Sequence, residues 1–142
     1  MKTQNYANHA RFVPLYHFFT VIGTLVLLIG SVVNLYKSSG DNIYNASLIV
    51  FGSLLLLLTA FYARVFALKA QDRAIKAEEN FRHYILTGKA MDSQLTMSQI
   101  VALRFSSDEE FPELAQKALN EKLSANAIKK TIGTWKPDFY RV

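Results

Sequence analysis

The sequence predicts an all-α protein: a two-helix transmembrane hairpin whose second helix extends into a small cytoplasmic helical domain. Two observations carry most of that expectation. Phe12–Tyr36 and Ile43–Ala63 are apolar runs free of Lys, Arg, Asp and Glu, separated only by the polar link Lys37-Ser38-Ser39-Gly40-Asp41-Asn42. Each run matches or exceeds the roughly 20 residues that an α-helix needs to cross a hydrocarbon core. The third observation lies after Arg64, where no Pro and no Gly occurs before Gly88. The second helix therefore has no stop signal where it would leave the membrane.

Composition agrees with that division. The 142 residues are 51% hydrophobic, with 10 Phe, 7 Tyr and no Cys, which excludes a disulfide framework and a thiolate metal site. Residues 1–63 form the N-terminal tail and hairpin, and residues 64–142 form the helical extension and the small domain. The net charge of +5 is not spread evenly. Residues 64–89 and 123–142 are basic, while 90–122 holds Arg104, Lys117 and Lys122 against Asp92, Asp108, Glu109, Glu110, Glu113 and Glu121. Alternating blocks fit helices that complement each other, or a basic face near anionic lipid, and no nucleic acid is expected as a partner.

Met1–Arg11 is polar and carries Lys2 and Arg11. The run that follows is too long for the h-region of a signal peptide and has no small-residue cleavage site after it, so it is expected to be retained. Pro14 suits the first turn, where its missing N–H has no acceptor to lose. Thr20, Gly23, Thr24, Gly30, Ser31 and Asn34 recur at helical spacing and predict a close-packing face with Gly23 and Gly30 at its centre. Phe18, Val21, Leu25, Leu28 and Val32 would meet acyl chains.

One helix is expected from about Ile43 to Thr87. Ala60, Ala63, Ala67, Ala70, Ala74 and Ala77 alternate strictly at intervals of three and four. That seam of period 3.5 calls for a facing helix, from the first span, the terminal helices or a second copy of the chain. Leu68, Ile75, Phe81 and Ile85 would add bulk beside it.

Three short helices follow, at about 97–105, 108–121 and 125–135. Thr96 with Gln99, and Ser107 with Glu110, both read as capping boxes, and Ser124 reads as a plain N-cap. On the second of these, Ser107→Ala would cost about 1 kcal/mol. Ile100, Val101, Leu103, Phe105, Phe111, Leu114, Ala118, Leu119, Leu123, Ile128, Ile132 and Trp135 supply a core.

Residues able to carry chemistry are few. Asp108, Glu109, Glu110 and Glu113 form one dense carboxylate cluster, which the helix dipole explains better than a metal does. His9, His17 and His83 have no ligand spacing, and His17 reads as interfacial. There is no phosphate loop, nucleophile elbow or intramembrane acid, so no catalytic residue, cofactor or metal is expected and the protein is read as non-enzymatic. The tail residues Lys129, Lys130, Trp135, Lys136 and Arg141 mix cations with aromatics and fit a membrane surface or a protein partner.

The stretches AEENFRHYILTGKAMDSQLTMSQIVALRFSSDEEFPELAQKAL and IKKTIGTWKPDFYRV resemble a bacterial family of small membrane proteins classed as a domain of unknown function. LRFSSDEEFPELA is the most specific part. The resemblance spans essentially the whole chain and implies a two-span inner-membrane protein without an established activity. Basic residues near the spans place both termini in the cytoplasm, with Lys37 alone in the loop. The function expected is a scaffold or accessory subunit presenting its domain to a protein partner. The alternative is a homo-oligomeric assembly or pore packed along the Ala60–Ala77 seam.

Overall fold

A computed structural model describes residues 4–139. All of their regular elements are helices, with no β-strand among them. A π-helical turn, Leu15–Thr20, leads into α1 (Val21–Lys37), followed by α2 (Asn42–Thr87), α3 (Met97–Leu103), α4 (Phe111–Asn120) and α5 (Ala125–Thr131). The chain divides into two compact units, one of Arg11–Ala67, the other of residues 4–10 with 68–139. The tail expected to belong with the apolar runs therefore belongs with the C-terminal helices.

In the apolar unit, helix starts at Leu15 rather than Phe12, because the carbonyl of Val13 accepts the first N–H groups after Pro14. The π turn is not legible in the sequence. Its wide winding lets the Thr20 hydroxyl donate to the Leu15 carbonyl, five residues back. Beside it, the Tyr16 hydroxyl donates to the Ala60 carbonyl at 2.6 Å. Further along, the hydroxyls of Ser31 and Ser53, both buried, meet at 3.0 Å.

That serine pair corrects the expected packing face of α1. Ser31 is on it, but Gly23 and Gly30 are exposed, with nothing within 4 Å of where a Cβ would stand. Thr20, Thr24 and Ser31 of the expected face are covered, together with Leu28 and Leu35. At 100° per residue Gly23 and Gly30 lie off that line, and the hydroxyl pair sets the helix so that they stay open. Val21 and Leu28, expected toward lipid, are half-buried. At the link, Gly40 takes φ +58°, a left-handed conformation costly for other residues.

α2 runs 46 residues without interruption and stops at Gly88, whose N–H still donates to the Tyr84 carbonyl at 2.8 Å and whose φ of +72° then turns the chain out of the helix. In the second unit, α2 contributes Ile75 to a core with Leu95, Ile100, Leu103, Phe105, Phe111, Leu114, Ala118, Ile128 and Ile132. Val101, Leu119, Leu123 and Trp135 pack against it. Leu68, Phe81 and Ile85 do not join this core and are exposed.

α3 opens with the expected capping box: Thr96 Oγ1 accepts from the Gln99 N–H, and Gln99 Oε1 accepts from the Thr96 N–H at 2.8 Å. The buried Gln99 amide also donates to the carbonyls of Ala118 and Leu123, so one side chain ties the start of α3 to the end of α4. Ser124 caps α5 through the Ala127 N–H.

All three short helices are shorter than expected, and α3 and α5 for a shared reason. Residues 105–107 and 134–136 leave helical geometry to pair with each other: Ser107 N–H donates to the Thr134 carbonyl, and Lys136 N–H to the Phe105 carbonyl at 2.7 Å. That pairing ends α3 at Leu103 and α5 at Thr131.

Candidate functional site

Residues 4–10 of the chain settle on the end of the domain where the two short extended segments meet. Gln4 is buried and pairs twice with the backbone of Asp138, its Oε1 accepting from the N–H at 2.7 Å and its amide donating to the carbonyl at 3.5 Å. The His9 ring stands against Phe105 and Trp135, with centroids 5.9 and 5.8 Å away. A carbonyl can only accept, so His9 Nδ1–H donates to the Tyr6 carbonyl at 2.7 Å. Nε2 is then free to accept from Lys129 Nζ at 3.0 Å. Lys130 Nζ lies 5.7 Å from the centre of the Tyr6 ring.

The aromatic and cationic residues read from sequence as a surface for lipid or a partner are therefore engaged by the chain itself. Trp135 stacks obliquely on Phe105 at 5.2 Å, and Lys136 Nζ lies 3.8 Å from Asp108 Oδ1. Arg141 lies outside the described residues. Arg104, which no sequence pattern marked, is buried, reaches Asp138 at 3.3 Å and covers the Phe105 ring at 4.7 Å. The signal for this junction was weak: one His and one Gln in a polar tail, separated from their partners by 96 to 134 residues.

The carboxylate cluster is dispersed by the fold. Arg82 donates from Nε to Asp108 at 2.7 Å, from one terminal nitrogen to Glu79 at 2.9 Å and from the other to the Ser106 carbonyl at 2.7 Å. Its guanidinium also lies 4.3 Å from the centre of the Phe111 ring. The hydrogen bond from Arg82 holds the Asp108 carboxyl below the usual range. Glu109 is held low by its own backbone N–H and the Ser107 hydroxyl. Among the described residues no three His, Asp or Glu side chains gather as metal ligands would.

Ser107 and Glu110 do not form the expected capping box. α4 begins at Phe111 with Pro112 in its first turn, and the Ser107 hydroxyl only approaches Glu110 Oε1 at 3.5 Å. Glu110 instead accepts from the N–H groups of Gly133 and Thr134, fastening the chain after α5 to the start of α4. Ser107→Ala is accordingly expected to change stability by less than about 0.5 kcal/mol. Glu110→Ala, which removes a carboxylate accepting from two exposed backbone N–H groups, should cost about 1 kcal/mol. Thermal unfolding of the full chain in mild detergent distinguishes the two, and equal losses would contradict the assignment.

Burial pushes the Glu79 carboxyl above its ordinary value of 4.5, with Arg82 opposing. A carboxyl whose folded pKa is raised binds more protons in the folded state. Its contribution is therefore full below pH 4.5 and is lost as pH rises through the folded value. Asp108 acts the other way, stabilising above pH 3.8 and losing that as pH falls through its depressed value. Glu79→Gln should thus flatten the gain in melting temperature between pH 6.5 and 4.5, and an unchanged slope would contradict the role of Glu79.

The six alanines on α2 divide between partners. Ala60 is half-buried under Tyr16 and Ala67 is half-buried, whereas Ala63, Ala70, Ala74 and Ala77 are exposed. The domain packs on the side of α2 that presents Ile75, Glu79 and Arg82, so the terminal helices leave Ala70, Ala74 and Ala77 open.

The Thr87 hydroxyl lies 3.2 Å from His83 Nδ1 but also donates to the His83 carbonyl at 2.7 Å, as a helix-interior threonine does. A depression of about 380 Å³ lined by Thr96, Gln99, Leu119, Lys122 and Ser124 offers one cation and hydroxyl groups. No curated protein and no solved structure matches the chain. A model of the family of unknown function DUF6526 matches residues 1–142, and the chain belongs to that family.

Proposed function

We propose that the chain is a non-enzymatic protein of the bacterial inner membrane, a two-span helical hairpin with both termini cytoplasmic that presents its helical domain to a protein partner. Two helices, Leu15–Lys37 and Asn42–Thr87, are long and apolar enough to cross a membrane by length and composition. Phe18, Phe19, Ile29, Val32, Phe51 and Leu56 are large apolar side chains left exposed on them, as a lipid-facing surface requires and a water-facing one does not. Because Tyr16 meets Ala60 and Ser31 meets Ser53, the two spans run antiparallel on either side of the Gly40 link.

The observation that carries the topology is the docking of residues 4–10 on the domain built after α2. Chain entering the first span and chain leaving the second belong to one folded unit, which supports a reading with both ends of the hairpin on one side of the membrane. The cytoplasmic side is favoured by Arg11, Arg64, Lys69, Arg73 and Lys76 against Lys37 in the link.

A second reading, a homo-oligomeric assembly or pore along Ala60–Ala77, is favoured by the exposure of Ala63, Ala70, Ala74 and Ala77. Affinity purification from native membranes in mild detergent, with mass spectrometry, separates the two. The accessory reading expects another protein in stoichiometric amount, and the oligomer reading expects the chain alone at a multiple of its mass. Recovery as a lone monomer would overturn both.

A further inference from the structure

We infer that the outer face of α2 beyond the membrane is the seam of a parallel two-stranded coiled coil with a second copy of this chain, in register, and closed by ion pairs between Arg73 of one copy and Glu78 of the other. The alternation that begins in the alanines does not end with them. Ala70, Ala74, Ala77, Phe81 and Tyr84 follow at intervals of four, three, four and three, which are the alternate core positions of a heptad. All five are exposed, Phe81 and Tyr84 by 65% and 56%, and Ile85 beside them by 65%. α2 thus has two apolar sides: Ile75 lies under its own domain, while the side turned away from Ile75 is uncovered in the single chain.

The distance along the helix argues for protein rather than lipid on that face. Phe81 follows the end of the second apolar run, Ala63, by 18 residues, or about 27 Å of helix rise, beyond reach of the hydrocarbon for a helix continuing out of it. Charge identifies the occupant. In this heptad Arg73 precedes a core position and Glu78 follows the next pair, the positions that face each other across a parallel dimer. On its own helix Arg73 has no acid three or four residues away, and the only cation so placed for Glu78 is Arg82, whose guanidinium is taken by Glu79, Asp108 and Ser106. A second identical helix, parallel and in register, supplies the opposite charge to both residues, twice per dimer. The parallel orientation rests on the membrane reading above, because two copies inserted the same way send their second helices out in the same direction.

The chain contains no Cys, so single substitutions give an uncluttered test in native membranes. Under mild oxidation A70C, A77C and Y84C should each give a band of doubled mass, whereas K76C, on an exposed position outside the seam, should give less than a tenth as much. R73E should reduce the A77C product several-fold, and adding E78R should restore it. No product, product at only one of the three seam positions, equal product at K76C, or failure of E78R to restore would each overturn the parallel dimer. Alkaline carbonate extraction is read on the same membranes. Release of the protein would overturn the membrane reading, while the cysteine pattern continues to decide the dimer.

Discussion

Phe105→Ala is expected to remove about 4 kcal/mol, within the range for deleting a large buried aromatic side chain, and to release the first residues of the chain along with the domain core. Phe105 is 1% exposed and belongs to the core cluster. It also supports the junction: Trp135 and His9 pack on its ring, and its carbonyl accepts from the Lys136 N–H. A core built from so few residues has little stability in reserve, so a loss of this size should leave the domain largely unfolded at 37 °C. Denaturant unfolding of the full chain in detergent, followed by the near-ultraviolet signal of Trp135, measures it. Proteolysis between Gln4 and Arg11 should accelerate in parallel. A loss under 1 kcal/mol, or unfolding that leaves residues 4–10 protected, would contradict this role.

Arg82→Ala should be nearly as damaging, at about 3 kcal/mol, because it strands a carboxylate that burial already disfavours. Both Arg82 and Glu79 side chains are only 11% exposed, so water screens this pair little. Asp108, whose side chain is 57% exposed, contributes far less. Arg82 also fills space over the Phe111 ring and satisfies the Ser106 carbonyl, so part of the loss is packing. The cost should shrink as pH falls toward 4.5 and Glu79 becomes protonated. Combining Arg82→Met with Glu79→Leu should recover much of it, since apolar groups of similar volume need no partner. Thermal unfolding at pH 7 and pH 5 reads both effects, and a pH-independent loss with no recovery would show that the ion pair is incidental.

The helical character and the reach of α2 were legible because they depend on local rules. A stretch without Pro or Gly continues until Gly88 offers a left-handed residue, and Thr96 and Gln99 satisfy each other's backbone groups within one turn. The same local pattern misled at Ser107 and Glu110. Glu110 finds two better donors at Gly133 and Thr134, more than 20 residues away, and the helix starts three residues later than the pattern implied. The grouping of His9, Phe105, Lys129 and Trp135 was illegible for the same physical reason: single contacts between distant segments leave no periodicity in the chain. On α1 the sequence marked one face of small residues, and the meeting of Ser31 with Ser53 turns the helix so that Thr24 and Ser31 are covered while Gly23 and Gly30 stay open.

The central claim is that both ends of the apolar hairpin lie on the cytoplasmic side of one membrane, tied there by the docking of residues 4–10 on the domain after α2. Reporter fusions placed after Gly40 and at Val142 test it most directly, using one reporter active only in the periplasm and one active only in the cytoplasm. The account predicts periplasmic activity for the Gly40 fusion and cytoplasmic activity for the Val142 fusion. A Val142 fusion active only in the periplasm would contradict the orientation, and both fusions reporting the same side would contradict the hairpin itself.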